Sequence, residues 1–346
     1  ESERTEIVAG AKRGSQVVEV NDSSMLKPGM DCFLHLSDAT SKSLLKYLYR
    51  NDPGDISHFD GEDRVYSARQ ALTIKSVRGG RVTFYQTLRF DVDPDWGPAL
   101  YPIEDDGQEI GLSDLTIRFA SVPYRGHWKE DGNNSLQIRG AHNWAKNLRF
   151  KNCDSGVFIR GAWTTIDGLV IESSRKKFNR YSGHHGIFVR GQECLIPNFD
   201  IKTQFFHDLT VSQGSVGNVF SSGKGTDLAI DCHRAAPYEN LFTDLDSGAG
   251  TRVFKSGGGR RAGRHTGSGA TFWNITAEQR FDLPSDEFGP DGLVFVGLHL
   301  NESNYESVRR GWHVEAVSPS HLSPPDLYRA QLERRIASGI SIEPRE

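Results

Sequence analysis

The sequence predicts an all-β protein, a right-handed parallel β-helix with an irregular β-rich N-terminal segment and short N- and C-terminal helices. Three observations carry this expectation. Val, Ile, Thr and Phe recur in short alternating runs broken by Gly, Asn, Asp and Ser, the patterning of strands and turns. An element of the type N/D/G-L-x-[IVF] begins at Asp114, Asn147, Gly168, Asp208, Asn240 and Asn274. A second element, V-F-x-x-G in type, is interleaved with it, starting from Gly156, Gly186, Gly217, Thr251 and Gly292. Two families of short strands, each met once per turn, are what a coiled sheet produces. Each turn pairs in parallel with the next, and inward apolar positions form one column. Corner loops of variable length account for repeat steps of 21 to 40 residues. A propeller would repeat more evenly, with an antiparallel signature in each blade.

Residues 1–110 read as a β-rich extension packed on the coil. Residues 16–20 (QVVEV) form a strand, and Leu26-Lys27-Pro28-Gly29 turns into a second at 32–36. The runs 72–77 and 82–88 flank Arg78-Gly79-Gly80-Arg81, a hairpin turn in which Gly tolerates positive φ. Residues 41–50 (SKSLLKYLYR) carry Leu44, Leu45 and Leu48 on one side of a helix, placed as a cap on the coil's first turn. Residues 49–66 read as a polar surface excursion. Residues 111–322 are the coil. Residues 323–346 are a helix and tail; the helix, 324–337, opens with Pro, has Leu327, Leu332 and Ile336 apolar, and lies along the stack.

The chain has 346 residues, 36% of them hydrophobic and 25% charged, with 36 Gly and a net charge of −4. A slightly acidic balance argues against nucleic acid as partner. No apolar run approaches the ~20 residues that span a bilayer, so no membrane partner is expected. The polar start at Glu1 reads as a mature or trimmed chain, secreted to an extracellular or periplasmic space. Cys32, Cys153, Cys194 and Cys232 make no C-x-x-C pair and are expected to be free and buried. A monomer is expected.

The repeated turns over about 111–300 resemble the pectate-lyase-like superfamily of right-handed parallel β-helices. That resemblance implies a carbohydrate-active protein: a lyase, glycoside hydrolase, esterase, epimerase or phage-type depolymerase. Fold does not choose among these. Gly183-His184-His185-Gly186 resembles the G-H-G element of polygalacturonase-type hydrolases, but the paired-Asp motifs of those enzymes do not precede it. Hydrolase roles are therefore not carried over.

The densest run of chemically capable residues is 223–267. Asp227, Asp231 and His233 are separated by even numbers and share one face of a strand. Arg252 and Lys255 follow one turn later, and His184 and His185 open a strand two turns earlier. Between Arg252 and His265 lie five Lys or Arg and no acid, including Arg260, Arg261 and Arg264 in a Gly-rich loop. A basic groove on an acidic protein points to an anionic polymer. For β-elimination on a uronate glycan, Arg252 neutralises the carboxylate, Lys255 or His233 removes the C5 proton, and Asp231 orients His233; Asp227 and His185 complete the catalytic set. His184, Arg234, Arg260, Arg261, Arg264, His265 and Asp244 bind substrate. No cofactor is required and no metal site is assigned, although Asp231 is a possible Ca²⁺ ligand. The partner is a polysaccharide or oligosaccharide. Two alternatives stand beside the lyase. One is a hydrolase using Asp227 with Asp231, or Asp231 with Asp244 or Asp246. The other is a non-catalytic glycan-binding coil. One or two of the six Trp (Trp96, Trp128, Trp144, Trp163, Trp273 and Trp312) would stack on sugar rings, and the others pack.

Overall fold

The computed structural model describes residues 4–38, 41–61, 63–103, 107–305 and 308–339. The protein is mostly β. Its first part is one antiparallel sheet of β1 (Thr5–Glu6), β2 (Val17–Glu19), β3 (Asp31–Asp38), β4 (Tyr66–Arg78), β5 (Arg81–Phe84) and β6 (Ala99–Pro102). The strand order is β1-β6-β3-β4-β5-β2. β3 alternates buried and half-buried residues, so Cys32, Leu34 and Leu36 face a core. Helix α1 (Ser43–Leu48) buries Leu44, Leu45 and Leu48 in that core beside Phe84 and Phe90.

From residue 111 the chain alternates between two parallel sheets. The smaller takes β8 (Asn134–Ile138), β10 (Ser155–Ile159), β12 (Gly183–Val189), β15 (Phe205–Val211) and β17 (Ile230–Cys232). The larger takes β7 (Gly111–Arg118), β9 (Trp144–Lys151), β11 (Thr165–Glu172), β13 (Leu195–Pro197), β14 (Asp200–Ile201), β16 (Val219–Gly225), β18 (Leu241–Asp246), β19 (Thr271–Thr276), β20 (Val294–Leu298) and β21 (His313–Glu315). Each strand pairs with its counterpart on the next turn, so inward positions stack. Val157, Ile187, Leu209 and Ile230 form one fully buried column. Phe220, Phe242, Phe272 and Phe295 form another, with ring centroids 5.0, 5.3 and 5.0 Å apart and planes within 9° of parallel.

The repeated Asn/Asp/Gly of the sequence has a conformational cause. Asp114, Asn147, Gly168, Asn198, Ser222, Asp244, Asn274 and Gly297 all have φ between 49° and 73°, the left-handed region that Gly, Asn and Asp tolerate best. Their side chains bond along the ladder: Asn147 Nδ2 donates to Asp114 Oδ1 (2.7 Å), and Ser222 Oγ to Asp244 Oδ2 (2.8 Å). The first sequence family therefore mixes positions. Asp208 belongs to β15 of the smaller sheet, and Asn240 sits four residues before the ladder position. In the second family, Gly156 and Gly186 mark the smaller sheet, Gly217 and Gly292 the larger, and residues 251–256 are a turn.

The first helix departs from the reading above. α1 does not cap the coil. It lies in the core between the antiparallel sheet and the coil's flank, where Val216, Ala235, Ala236 and Tyr238 join it. The Tyr49 hydroxyl, just past α1, donates to Arg264 O and accepts from Ala236 N, both at 2.8 Å. The antiparallel sheet thus runs alongside the coil, fixed also by Arg89 between Glu193 and Glu239. β7, the first coil strand, has no buried residue. α2 (Leu327–Ala337) does lie on the larger sheet, but through polar contacts. Asp326 caps it, buried against Ser221 Oγ at 2.6 Å, and Leu327 N donates to Thr243 Oγ1 at 2.9 Å. Leu332 and Ile336 stay exposed. The tail beyond residue 339 lies outside the described residues.

All four cysteines are unpaired and buried. Burial raises their thiols, Cys153 to about 11 and Cys194 to about 12. No described helix is long and apolar enough to cross a membrane.

Candidate active site

The smaller sheet carries the site on its outer face. Parallel register aligns Ser155, His185 and His207 on β10, β12 and β15, and Phe158, Phe188, Thr210 and Asp231 three residues further along. His233 follows β17, its N–H bonded to Val211 O at 2.7 Å. The strands thus bring His184, His185, His207 and His233 into one row. His184 stacks on His185 with centroids 4.1 Å apart, His185 on His207 at 5.2 Å, and His207 meets His233 edge-on at 5.1 Å. Three corner excursions frame the row. The first, between β7 and β8, supplies His127, 4.2 Å from His184, together with Trp128 and Glu130. The second supplies Tyr181. The third, between β18 and β19, supplies Lys255, whose Nζ donates to the Tyr181 hydroxyl at 2.7 Å and lies 4.6 Å from the Phe206 ring centroid.

Asp231 is the buried anchor. Its Oδ1 accepts from Gly257 N (2.7 Å), and its Oδ2 accepts from Thr210 Oγ1 (3.2 Å) and lies 2.9 Å from His233 Nδ1. Burial raises its carboxyl, but the flanking imidazoles of His207 and His233 outweigh this and hold it well below the usual carboxylate range. His207 Nδ1 is also 2.9 Å from Asp231 Oδ2, yet off the direction a hydrogen bond requires, so this buried atom has no hydrogen-bond partner. His184 is lowered to about 4, first by burial and then by His127; His185 is lowered well below the usual histidine value, first by burial and then by His184 and His207. These rings are neutral at pH 7. Glu130 Oε1 receives the Tyr124 hydroxyl and Trp128 N, both at 3.1 Å, and lies 3.2 Å from His184 Nδ1.

The other candidates lie as follows. Asp227 does not share the face of Asp231. It is buried, with its oxygens on Thr251 N (2.8 Å), Thr251 Oγ1 (2.6 Å) and Gln204 Nε2 (2.9 Å). Arg252 is buried between Asp208 and Asp227 and donates to Phe205 O at 3.1 Å. A guanidinium spent this way is a structural tie, so the carboxylate clamp assigned to it is corrected. Asp244 belongs to the φ ladder of the larger sheet, bonded to Ser222 and Asn274. It is not in the groove. The basic loop finds its acids far away in sequence. Arg264 pairs with Asp52 at 2.6 Å, and Arg234 with Glu287 at 2.6 Å. His265 bonds to Cys232 O at 3.1 Å. The polar excursion at 49–66 is thus docked on this loop rather than free; Arg260 and Arg261 remain exposed. The two-imidazole setting of Asp231 also does not suit Ca²⁺, which takes six to eight oxygen ligands.

His207, His127, Glu130 and Tyr181 were not legible as site residues from repeat counting. Aligning GHHGIFV of β12 with FFHDLTV of β15 places His207 under His185, which is the signal that finds it.

Residues 204–340 match the model of a family described as Domain of unknown function (DUF4955). That span holds His207, Asp231, His233 and Lys255 but not His184 or His185. No curated protein matches the chain. Among solved structures, the tailspike protein gp49 from Pseudomonas phage LKA1 is 11% identical with a TM-score of 0.47, covering 86% of this chain and 45% of that one. The tailspike gp61 of Pseudomonas phage phi297 is 13% identical with a TM-score of 0.46, covering 86% and 44%. The Gp54 tailspike of Acinetobacter baumannii bacteriophage AP22, solved in complex with A. baumannii capsular saccharide, is 9% identical with a TM-score of 0.33, covering 90% and 56%. The chain spans about half the length of these tailspikes.

Proposed function

We propose that this protein is an extracellular or periplasmic glycan-cleaving enzyme, a right-handed parallel β-helix acting on an acidic polysaccharide by β-elimination. Trp128 at the rim of the histidine row is the observation that carries this reading. The residue is 83% exposed, its φ is 65°, and its ring meets the His184 ring edge-on at 5.6 Å. A non-glycine residue in the left-handed region costs about 1–2 kcal/mol, so the backbone is strained while the indole stands in water. Such a face suits the C–H face of a pyranose.

Elimination is favoured over hydrolysis by the carboxylates. A hydrolase needs two facing carboxyl groups, about 5–5.5 Å or 6.5–9.5 Å apart. Asp227 is consumed by its partners, Asp244 is on the other sheet, and Asp231 is fully buried. The Tyr181–Lys255 pair suits elimination. In the tyrosinate–ammonium form of the pair, the phenolate Oη of Tyr181 takes the C5 proton, the C–H electrons form the C4–C5 double bond, and the C4–O4 bond breaks. Lys255 gives a proton to the leaving O4, and the 2.7 Å hydrogen bond returns the tyrosine's proton to the amine.

The test is a panel of acidic and neutral polysaccharides, read for reducing ends and for the ultraviolet absorbance of an unsaturated uronate. Both signals together are expected, with Tyr181→Phe and Lys255→Met each at least ~10²-fold slower. Reducing ends without absorbance would replace elimination by hydrolysis. Binding without either signal would leave a glycan-binding coil.

A further inference from the structure

We infer that His207, Asp231 and His233 form a binding site for a divalent first-row transition metal of the Zn²⁺ type. One atom from each residue, imidazole nitrogen or carboxylate oxygen, lies within 4.8 Å of the other two. Asp231 Oδ2 is 2.9 Å from both Nδ1 atoms. Two imidazoles and one carboxylate, with ligand bonds near 2.0–2.2 Å and an open position, are a donor set that zinc accepts and calcium does not.

One feature supports a ligand rather than a simple Asp–His pair, and a second holds the three donors in place. The first is His207 Nδ1. Its side chain is 3% exposed, yet the nitrogen has no hydrogen-bond partner, although Asp231 is close enough to be one. A buried polar atom left so is costly unless something else engages it. The second is the close approach of the Gly257 backbone to the two rings. A Cβ there would stand 2.7 Å from His207 Cε1 and 2.9 Å from His233 Cε1, so the backbone closes over the two rings only because the residue is glycine. The same residue's N–H fixes Asp231 Oδ1 at 2.7 Å, and Thr210 Oγ1 donates to Oδ2, the outer support that carboxylate ligands carry in metal sites. His233 is 30% exposed on its side chain, which leaves the groove side open to a substrate oxygen.

The metal would bind the sugar carboxylate and stabilise the negative charge that grows as the C5 proton leaves. That role rests on the elimination reading, whereas the site itself is tested without any glycan. Metal-free protein is titrated with Zn²⁺ alone, and separately with Co²⁺ alone for its visible absorption. The expected result is one Zn²⁺ per chain, a Co²⁺ spectrum of nitrogen–oxygen ligation, and at least tenfold weaker binding in His207→Ala, Asp231→Asn and His233→Gln. His233→Gln is the decisive variant because its ring is partly exposed, and circular dichroism checks its fold. No stoichiometric Zn²⁺ binding, or binding unchanged in folded His233→Gln, would overturn the site. A preference for Ca²⁺ over Zn²⁺ would overturn it equally.

Discussion

Replacing Arg252 by Met should destabilise the protein strongly at neutral pH and much less in mild acid. The guanidinium lies between two carboxylates that are only 1% and 2% exposed on their side chains, Asp208 and Asp227. Removing one partner of a buried ion pair costs about 3–5 kcal/mol, because the remaining charge is left without compensation. Methionine restores part of the packing, so a loss of roughly 3 kcal/mol at pH 7 is expected. The pH dependence follows from Asp208. Burial raises its carboxyl to about 6 even though Arg252 opposes the rise. Without Arg252 it rises further. The folded state then holds a proton that the unfolded state releases near the ordinary carboxylate value. A carboxyl raised by folding contributes stability below its unfolded value, and that stability is lost as pH rises through its folded value. The deficit of the variant should therefore be smaller at pH 5 than at pH 7 by up to ~1.4 kcal/mol, the equivalent of one pKa unit. Urea unfolding of both proteins at both pH values, with matched m-values, measures this. A loss below ~1 kcal/mol at pH 7, or equal losses at the two pH values, would refute the structural role given to Arg252.

Phe242→Ala should cost about 4 kcal/mol, since the ring is fully buried between Phe220 and Phe272; urea midpoints report it. Trp128→Ala should weaken glycan binding about tenfold by calorimetry and leave the unfolding midpoint unchanged, because the ring is exposed. His184 should contribute a loss of stability to the wild type as pH falls from 6.5 towards 4, against the opposite contribution of Asp208, because burial lowers His184 and its proton is taken up more readily by the unfolded chain. His184→Gln should flatten that part of the wild-type curve, and an identical slope in the variant would exclude His184 as its source.

Periodicity made the parallel coil legible, because a side chain that recurs once per turn must stack on its own kind. Asn147 and Asn274 announced the left-handed corner, while Ser222 and Asn198 at the same corner lack the following Leu and passed unseen. The pairing of Asp231 with His233 followed from strand alternation. Alternation failed for Asp227, which lies before β17 begins and is not bound by its pleat. The basic loop misled for a different reason. A local count of charge does not see Asp52, more than two hundred residues upstream of Arg264 in the chain. Tyr181 and Glu130 lie on excursions whose path over the sheet no repeat encodes.

The site draws its groups from two sources that differ in how freely they can change. His185, His207 and Asp231 sit on paired strands, where a shift of one residue would turn every neighbour's side chain to the opposite face. Trp128, Tyr181 and Lys255 sit on corners that no ladder constrains. Lengthening or exchanging a corner leaves the stacked rungs intact. Selection can therefore retune which polymer is gripped by rewriting the corners, while the imidazole–carboxylate row stays as inherited hardware.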